Sequence, residues 1–419
     1  MERLAELGAP REPRDYRVDG LEPMVALAPE TPEAVAQALA VCAAAGLVVI
    51  PWGGGRQMGL GNLPERYDVA LDLRSLATIT HYEPDDLTIA VQAGRSIASL
   101  SDELAAHGQM LPIEAADPER VTIGGLVATG IGCPRRFGHG SLRDLIIGIT
   151  VALPDGTLAR AGGIVVKNVS GYDMMRLHFG ALGSLGVIIQ ANFKVLPAPE
   201  AQRTLLLSFR ESAQAAAAAL TLRTSQLAPT ALVVLAPLVA RRLTDLEGWV
   251  LAARCEGPEG AVERQVERLR ASVGMTSSES AVLDDRKTLA FWSSLQGELE
   301  AAPFDRELRV RIGELPSRLG ELAVCLQRRC GSALHSLVLD SGSGLAYATV
   351  SGEPSELRAF WAQLRELGRH ATLLGAPIEV KAGEDVFGRH PAGISVMRRL
   401  KEAFDPDRIL NRGRFIAHL

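Results

Sequence analysis

The chain has 419 residues, too many for one comfortable hydrophobic core, so two or three compact units are expected. With 47% hydrophobic and 22% charged residues and a net charge of -5, it has the composition of an ordinary globular protein and no basic field to draw nucleic acid. The five cysteines (Cys42, Cys133, Cys255, Cys325, Cys330) are odd in number and lack CxxC spacing, which disfavours a disulfide framework or zinc knuckle and suits a reducing cytoplasm.

Met1 to Gly20 is charged and has no apolar export core, and no run of about 18 apolar residues occurs, so neither export nor a membrane span is expected. Any membrane contact would run through partners. Thr31-Pro32-Glu33 reads as an N-cap, an N1 proline and a first-turn acid, opening a helix that stops at Gly46. Leu47 to Pro51 is a short strand entering Gly53-Gly54-Gly55, and Val69 to Leu73 and Thr88 to Gln92 read as strands separated by the turn Glu83-Pro84-Asp85-Asp86. Ser96 caps a helix ending near Gly108. Leu145 to Leu153 and Thr157 to Arg160 flank the hairpin signal Pro154-Asp155-Gly156. After the strand Val187 to Leu196, Pro197-Ala198-Pro199 breaks the pattern, and a boundary is placed there. From about 200 to 375, strand-like runs (Thr204 to Phe209, Ala231 to Leu235, Trp249 to Ala253, Leu345 to Val350) alternate with amphipathic helices such as Glu211 to Leu222 and Gly260 to Ala271, an α+β pattern.

Two glycine-rich stretches carry the chemistry. Pro51-Trp52-Gly53-Gly54-Gly55-Arg56-Gln57-Met58-Gly59 follows a strand; its glycines permit positive φ and let backbone N–H groups close on an anion such as a diphosphate. Taken alone, three glycines are more often a flexible loop, and the spacing matches neither a Walker A loop nor the G-x-G-x-x-G fingerprint. Asp117 to Gly130 then contains Thr122-Ile123-Gly124-Gly125, which reads as a helix start kept bare for phosphate, or else as a tightly packed glycine helix.

These stretches, together with Ser141-Leu142-Arg143-Asp144, Val166-Lys167-Asn168-Val169-Ser170-Gly171-Tyr172-Asp173 and Gly180 to Ile188, stand in the order of the PCMH-type FAD domain of the vanillyl-alcohol-oxidase superfamily, which the chain resembles. The Lys-Asn-x-x-Gly-Tyr-Asp loop is similar to the D-lactate, D-2-hydroxyglutarate and glycolate dehydrogenase branch. Leu400 to Arg414 resembles that branch's C-terminal Lys-x-x-Phe-Asp-Pro…Asn-Pro-Gly signature, with Arg412 where proline is usual.

The resemblance implies non-covalent FAD, because Arg56 and Gln57 stand where covalently flavinylated relatives carry histidine. It implies that Pro51, Gly53, Gly54, Gly55, Arg56, Gln57 and Gly59 hold the diphosphate from one side, and Asp117, Thr122, Gly124 and Gly125 from the other. Ser141 and Asp144 would lie along the ribityl path, with Gly186, Val187 and Ile188 meeting the cofactor by backbone. Lys167, Asn168, Tyr172 and Asp173 would shape the flavin edge or anchor their loop, Asn411 would approach the flavin, and Arg414 would meet a substrate carboxylate or a partner surface. No catalytic residue is assigned.

The branch's metal-binding histidines are missing: Leu337 to Ala346 and Pro377 to Gly383 contain none, so no metal site is expected. Histidines elsewhere lack a paired carboxylate or nucleophile and read as packed or surface residues, His139 being nearest the cofactor path. The loss of the metal ligands aligns the chain with GlcE-like FAD-binding subunits of glycolate oxidase, which work beside a GlcD-like flavoprotein and an iron–sulfur (GlcF-like) subunit. The expected fold is α+β: a PCMH-type FAD-binding domain of two α+β subdomains (1–200), an α+β cap (201–375) and a C-terminal segment returning to the FAD domain (376–419). Three functions stay open: oxidation of a small 2-hydroxy acid, an electron relay or assembly subunit, and a free-standing oxidase of another alcohol.

Overall fold

The computed structural model describes residues 4, 6–165, 172–273, 276–300 and 305–419. Strands β1 (Ala9–Arg11), β2 (Val25–Ala28), β3 (Val49–Trp52) and β4 (Val69–Asp72) form a sheet in the order β1-β2-β4-β3, with β2, β4 and β3 parallel. The crossover helix Pro32–Ala45 begins where Thr31 Oγ1 accepts from the Ala34 N–H (3.1 Å) and ends at Gly46 in the left-handed region. It buries Val35, Leu39 and Cys42 against Leu27, Val49 and Leu71.

Next come β5 (Ile79–Glu83), β6 (Thr88–Gln92), β7 (Gln109–Met110), β8 (Ile146–Ala152), β9 (Leu158–Gly162), β10 (Val187–Lys194) and β11 (Leu196–Pro197). β7 pairs with β11, and the others form an antiparallel sheet in the order β5-β6-β10-β8-β9. Helices Ile97–Ala105 and Ile123–Thr129 cover it through Leu100, Leu104, Ile123 and Val127, packed on Ile89, Val91, Ile149 and Phe193. Val69 to Leu73 and Thr88 to Gln92 both contain strands and lie in different sheets; the hairpin partner of β6 is β5, a strand that the sequence reading did not include. The largely exposed side chains of β5 give it no apolar alternation to read.

The remaining strands build one antiparallel sheet: β12 (Ala201–Phe209), β13 (Ala231–Leu235), β14 (Trp249–Gly257), β15 (Ser280–Leu283), β16 (Glu307–Gly313), β17 (Leu334–Asp340), β18 (Leu345–Ser351) and β19 (His370–Gly375). Their order is β15-β12-β14-β13-β17-β18-β16-β19. One face packs on helices Ser212–Thr224, Glu259–Val273, Leu319–Cys330 and Pro354–Leu364, the other on Pro237–Leu243 and Asp285–Glu300. The chain then returns to its first sheet: Ile409 and Leu410 join the core around Val49, whose N–H donates to the Ile409 carbonyl (2.7 Å) while its carbonyl accepts from Asn411 (3.0 Å). Buried Lys401 secures this return through Ser184 O (2.8 Å), Leu410 O (2.9 Å) and Asp405 (2.6 Å).

Candidate functional site

Where parallel strand β3 ends, the chain enters the first glycine loop. None of the backbone N–H groups from Gly53 to Gly59 donates a hydrogen bond among the described residues. So many unpaired donors in one loop are rare in a folded chain and suit an anion. The glycines have separate reasons. Gly55 sits at φ +74°; a Cβ on Gly53 would lie 2.3 Å from Thr122 Oγ1, and one on Gly54 would lie 1.5 Å from the Arg120 carbonyl oxygen. Gly53 and Gly54 thus let this loop press against the second stretch, and Arg120 donates back to the Gly54 carbonyl (3.2 Å).

The second stretch corrects the reading of a bare helix start. The Ile123 N–H donates to Arg95 O (3.0 Å), Gly124 to Ala93 O (2.7 Å) and Gly125 to Thr122 Oγ1 (3.3 Å). A Cβ on Gly124 would lie 2.7 Å from the Ala93 Cβ, so its smallness serves helix-on-strand packing.

Between the two stretches runs a cleft in three connected parts. Its middle is lined by Pro51, Gly53, Gly54, Gly55, Arg56, Gln57, Thr122, Gly125, Asn411 and Arg414; its inner end adds Gly124, Val187 and Ile188. Its outer end reaches Gly59 and the eight-stranded sheet. Asp117, Gly186, Ser141 and Asp144 do not line it. Asp117 pairs with Arg56 (3.6 Å). Asp144 accepts from the Ser141 N–H (3.0 Å) and hydroxyl (2.7 Å), a self-contained capping box away from the cleft. Lys167 and Asn168 lie outside the described residues. Tyr172 is 92% exposed and Asp173 pairs with Arg176 (2.8 Å), so neither shapes the cleft.

The C-terminal signature braces the loop from below. Asn411, at φ +46°, donates through Nδ2 to the Leu182 carbonyl (2.7 Å) and accepts at Oδ1 from Arg414 (2.9 Å). Arg414 is buried where it lines the cleft and not on an outer surface; Nη2 holds the carbonyls of Met58 (2.5 Å) and Leu60 (2.9 Å), and burial pulls its pKa down. Arg412, in the usual proline place, is held outside by Glu65 (3.1 Å), and the loop closes without proline.

Sequence reasoning missed the outer wall, which is built by Gln296, Glu300, Arg309, Arg311 and Tyr347. Glu300 ends helix Asp285–Glu300 and lines both the middle and outer parts; it accepts from Gln296 and from the Ala116 N–H (3.3 Å), and burial pushes its carboxyl up. The missed signal is the alternation Glu307-Leu308-Arg309-Val310-Arg311, which sets two arginines on one strand face.

No group of three or more His, Cys, Asp or Glu residues stands ready for a metal among the described residues. In the hairpin between β17 and β18, Arg136 instead reaches Ser343 (2.9 Å) and lies 4.0 Å from Asp340. Burial pushes the Asp340 carboxyl up to about 6, with Arg136 and the Ser343 bonds opposing. An acid whose pKa is raised on folding binds more protons when folded between about pH 4 and 6, so its ionised form costs stability above that window. Asp340→Asn is therefore expected to raise the melting temperature at pH 7.5 and have less effect at pH 4.5; a lower melting temperature at pH 7.5 would show that the charge is used.

Residues 23–173 match the family described as FAD binding domain, and residues 388–415 match FAD linked oxidases, C-terminal domain. The chain is 30% identical to glycolate oxidase subunit GlcE of Escherichia coli, covering 83% of this chain and 87% of that one. It is 26% identical to glycolate oxidase subunit GlcD of Bacillus subtilis (94% and 89% covered) and 26% identical to the mitochondrial D-lactate dehydrogenase [cytochrome] 1 of Saccharomyces cerevisiae (93% and 72%). Among solved structures, an alkyldihydroxyacetonephosphate synthase shares the fold at a TM-score of 0.65 and 19% identity, covering 93% of this chain and 77% of that one.

Proposed function

The chain belongs to the FAD-linked oxidoreductases with a PCMH-type FAD-binding domain, and from that membership we propose that it oxidises a 2-hydroxy acid and passes electrons to partner redox subunits. The observation that carries the reading is the unpaired N–H run from Gly53 to Gly59 opening on the same cleft as the arginines of the outer wall. Bound FAD supplies the two-electron acceptor.

The chain's own residues do the rest. Amides of Gly53 to Gly59 and the side of Thr122 and Gly125 hold the cofactor without a covalent bond, and Asn411 and Arg414 fix the loop's height. Glu300, at the junction of the middle and outer parts, is placed to take the substrate's hydroxyl proton. In this division 1–200 and 376–419 hold FAD and 201–375 forms the cap. The partners are a GlcD-like flavoprotein and an iron–sulfur subunit, in keeping with the glycolate oxidase subunits among its relatives, and the working place is the cytoplasm. No helix among the described residues is long and apolar enough to cross a membrane.

Anaerobic mixing of the FAD-loaded protein with glycolate, D-lactate and larger 2-hydroxy acids is expected to bleach the flavin band. Glu300→Gln is expected to slow bleaching about 100-fold or more without loss of flavin. An unbleached spectrum with every acid would leave an electron relay in place of substrate oxidation.

A further inference from the structure

Three successive carbonyls at the end of the glycine loop are held from behind. The Gln57 carbonyl accepts from the Leu60 N–H (3.1 Å), the Met58 carbonyl from Arg414 Nη2 (2.5 Å) and the Gly59 carbonyl from Lys381 Nζ (3.1 Å). In a trans peptide the C=O and N–H point opposite ways. Holding the first two carbonyls therefore turns the N–H groups of Met58 and Gly59 to the other side, where no described residue accepts them. The third peptide is pinned at both ends: its N–H is the Leu60 donor to Gln57, and its carbonyl takes Lys381.

Lys381 ends the short helix Ile378–Lys381 that follows β19, and it is 2% exposed. Its ammonium also meets Asp19 Oδ2 (2.6 Å), on the tight turn from Val18 to Leu21 whose ends exchange two N–H···O bonds (3.0 and 2.9 Å). One ammonium thus joins the segment before β2, the glycine loop and the segment after β19. Asp19 is the one carboxylate within ion-pair distance of Lys381 or Arg414 among the described residues, so the two buried cations keep an excess of positive charge. Such an excess is costly unless an anion offsets it, and the free N–H groups open on the opposite face of the same loop. Burial pulls the Lys381 pKa down; Asp19 opposes the shift and Arg414 adds to it. Of the other titratable groups around this cluster, Glu379 on the same helix is exposed, Glu384 is paired with Arg365 (2.7 Å), and Tyr67 faces Arg414 with its hydroxyl pushed up by burial.

We propose that Lys381 is a positioning residue for the cofactor: by gripping Gly59 from behind it keeps the amides of the glycine loop aimed into the cleft, and its charge helps to hold the diphosphate of FAD through the loop. The ammonium acts without touching the cofactor, through one carbonyl and through the field of an uncompensated charge buried in a medium that screens it weakly. The inference needs FAD binding alone and not the oxidation of a 2-hydroxy acid, so either can fail without the other.

Release of FAD from the loaded chain on dilution, followed by flavin fluorescence between about pH 6.5 and 10, reads the grip without any turnover. Lys381→Met is expected to release FAD at least about tenfold faster at neutral pH, and Lys381→Arg, which keeps the charge, to recover most of that difference. In the unaltered protein release is expected to quicken as the pH rises through the pKa of Lys381, below the ordinary lysine value of about 10.4, because the neutral amine no longer counters the diphosphate. Neither variant titrates there, so both should give a flat profile. Asp19→Asn keeps the turn, since asparagine tolerates the φ of +45° at that position, but removes the acid that supports the ammonium. Its quickening is expected at lower pH, which tests the proposal even where Lys381→Met does not fold. Lys381→Met that keeps its FAD as long as the unaltered protein, with only its melting temperature lowered, would make Lys381 a brace of the fold and overturn the proposal. A quickening that persists in Lys381→Arg, or that Asp19→Asn leaves in place, would assign the titration to another group and overturn the part played by the charge.

Discussion

Gly54→Ala is expected to yield a protein without flavin and less stable by roughly 3 kcal/mol or more. The added Cβ would lie 1.5 Å from the Arg120 carbonyl oxygen, a backbone atom that no rotamer change moves. Relief requires the loop after β3 to separate from the stretch before helix Ile123–Thr129, which breaks the bond from Arg120 to the Gly54 carbonyl (3.2 Å) and spreads the two walls of the cleft. A larger or charged substituent at this position adds nothing diagnostic, because the methyl group already cannot fit. Gly59→Ala is the comparison for the fold: it lies in the same loop, no protein atom stands within 4 Å of its Cβ, and its melting temperature should stay within a few degrees of the unaltered protein. The ratio of flavin to protein absorbance and the melting temperature check both. Full flavin occupancy in Gly54→Ala would mean that the close approach of the two stretches is not needed for the cofactor.

The contrast between those two glycines shows what a sequence can carry. That Gly53 to Gly59 follows a strand was legible from order and spacing, because strand, glycine loop and helix start are local features; that it faces Thr122 came from the resemblance to the family. Which glycine answers to a ligand and which to a neighbouring backbone was not, since Gly54 meets Arg120 across 66 positions of chain. Ser141 and Asp144 show the opposite case: a motif shared with a family suggested a cofactor role, and in the fold the two residues bond each other three positions apart. Arg309 and Arg311 were invisible for a further reason. Alternating apolar and charged residues ordinarily mean a strand with one wet face, and only the crossing of helix Asp285–Glu300 and the loop around Arg56 turns that face into the wall of a cleft.

Glu256→Ala is expected to destabilise the protein by about 3–5 kcal/mol at pH 7, because it would strand the buried Arg135 guanidinium. Glu256, at the end of β14 in the eight-stranded sheet, has a side chain 1% exposed that takes both oxygens of its carboxylate to Arg135, at 2.5 and 3.1 Å. His139 meets it at 3.0 Å and Arg254 Nε lies 3.2 Å away. Arg135 and His139 belong to the glycine-rich stretch of the first half, so the carboxylate fastens the eight-stranded sheet to the stretch that leads out of the cleft. Arg254 has Glu114 as a second acid partner and rests on the Trp292 ring, but Arg135 has no other carboxylate in contact among the described residues. Burial alone would raise the Glu256 carboxyl; the bond with His139 and the charges of Arg135 and Arg254 outweigh it and hold the carboxyl well below the usual range. A carboxyl depressed on folding gives stability that is complete above its unfolded pKa of about 4.3 and is lost as the pH falls toward the folded value. Urea unfolding of the two proteins should therefore differ most at pH 7 and converge below pH 4. A gap that stays constant across that range would assign the loss to packing, and a gap under about 1 kcal/mol at pH 7 would show that water or Glu114 takes over the neutralising role.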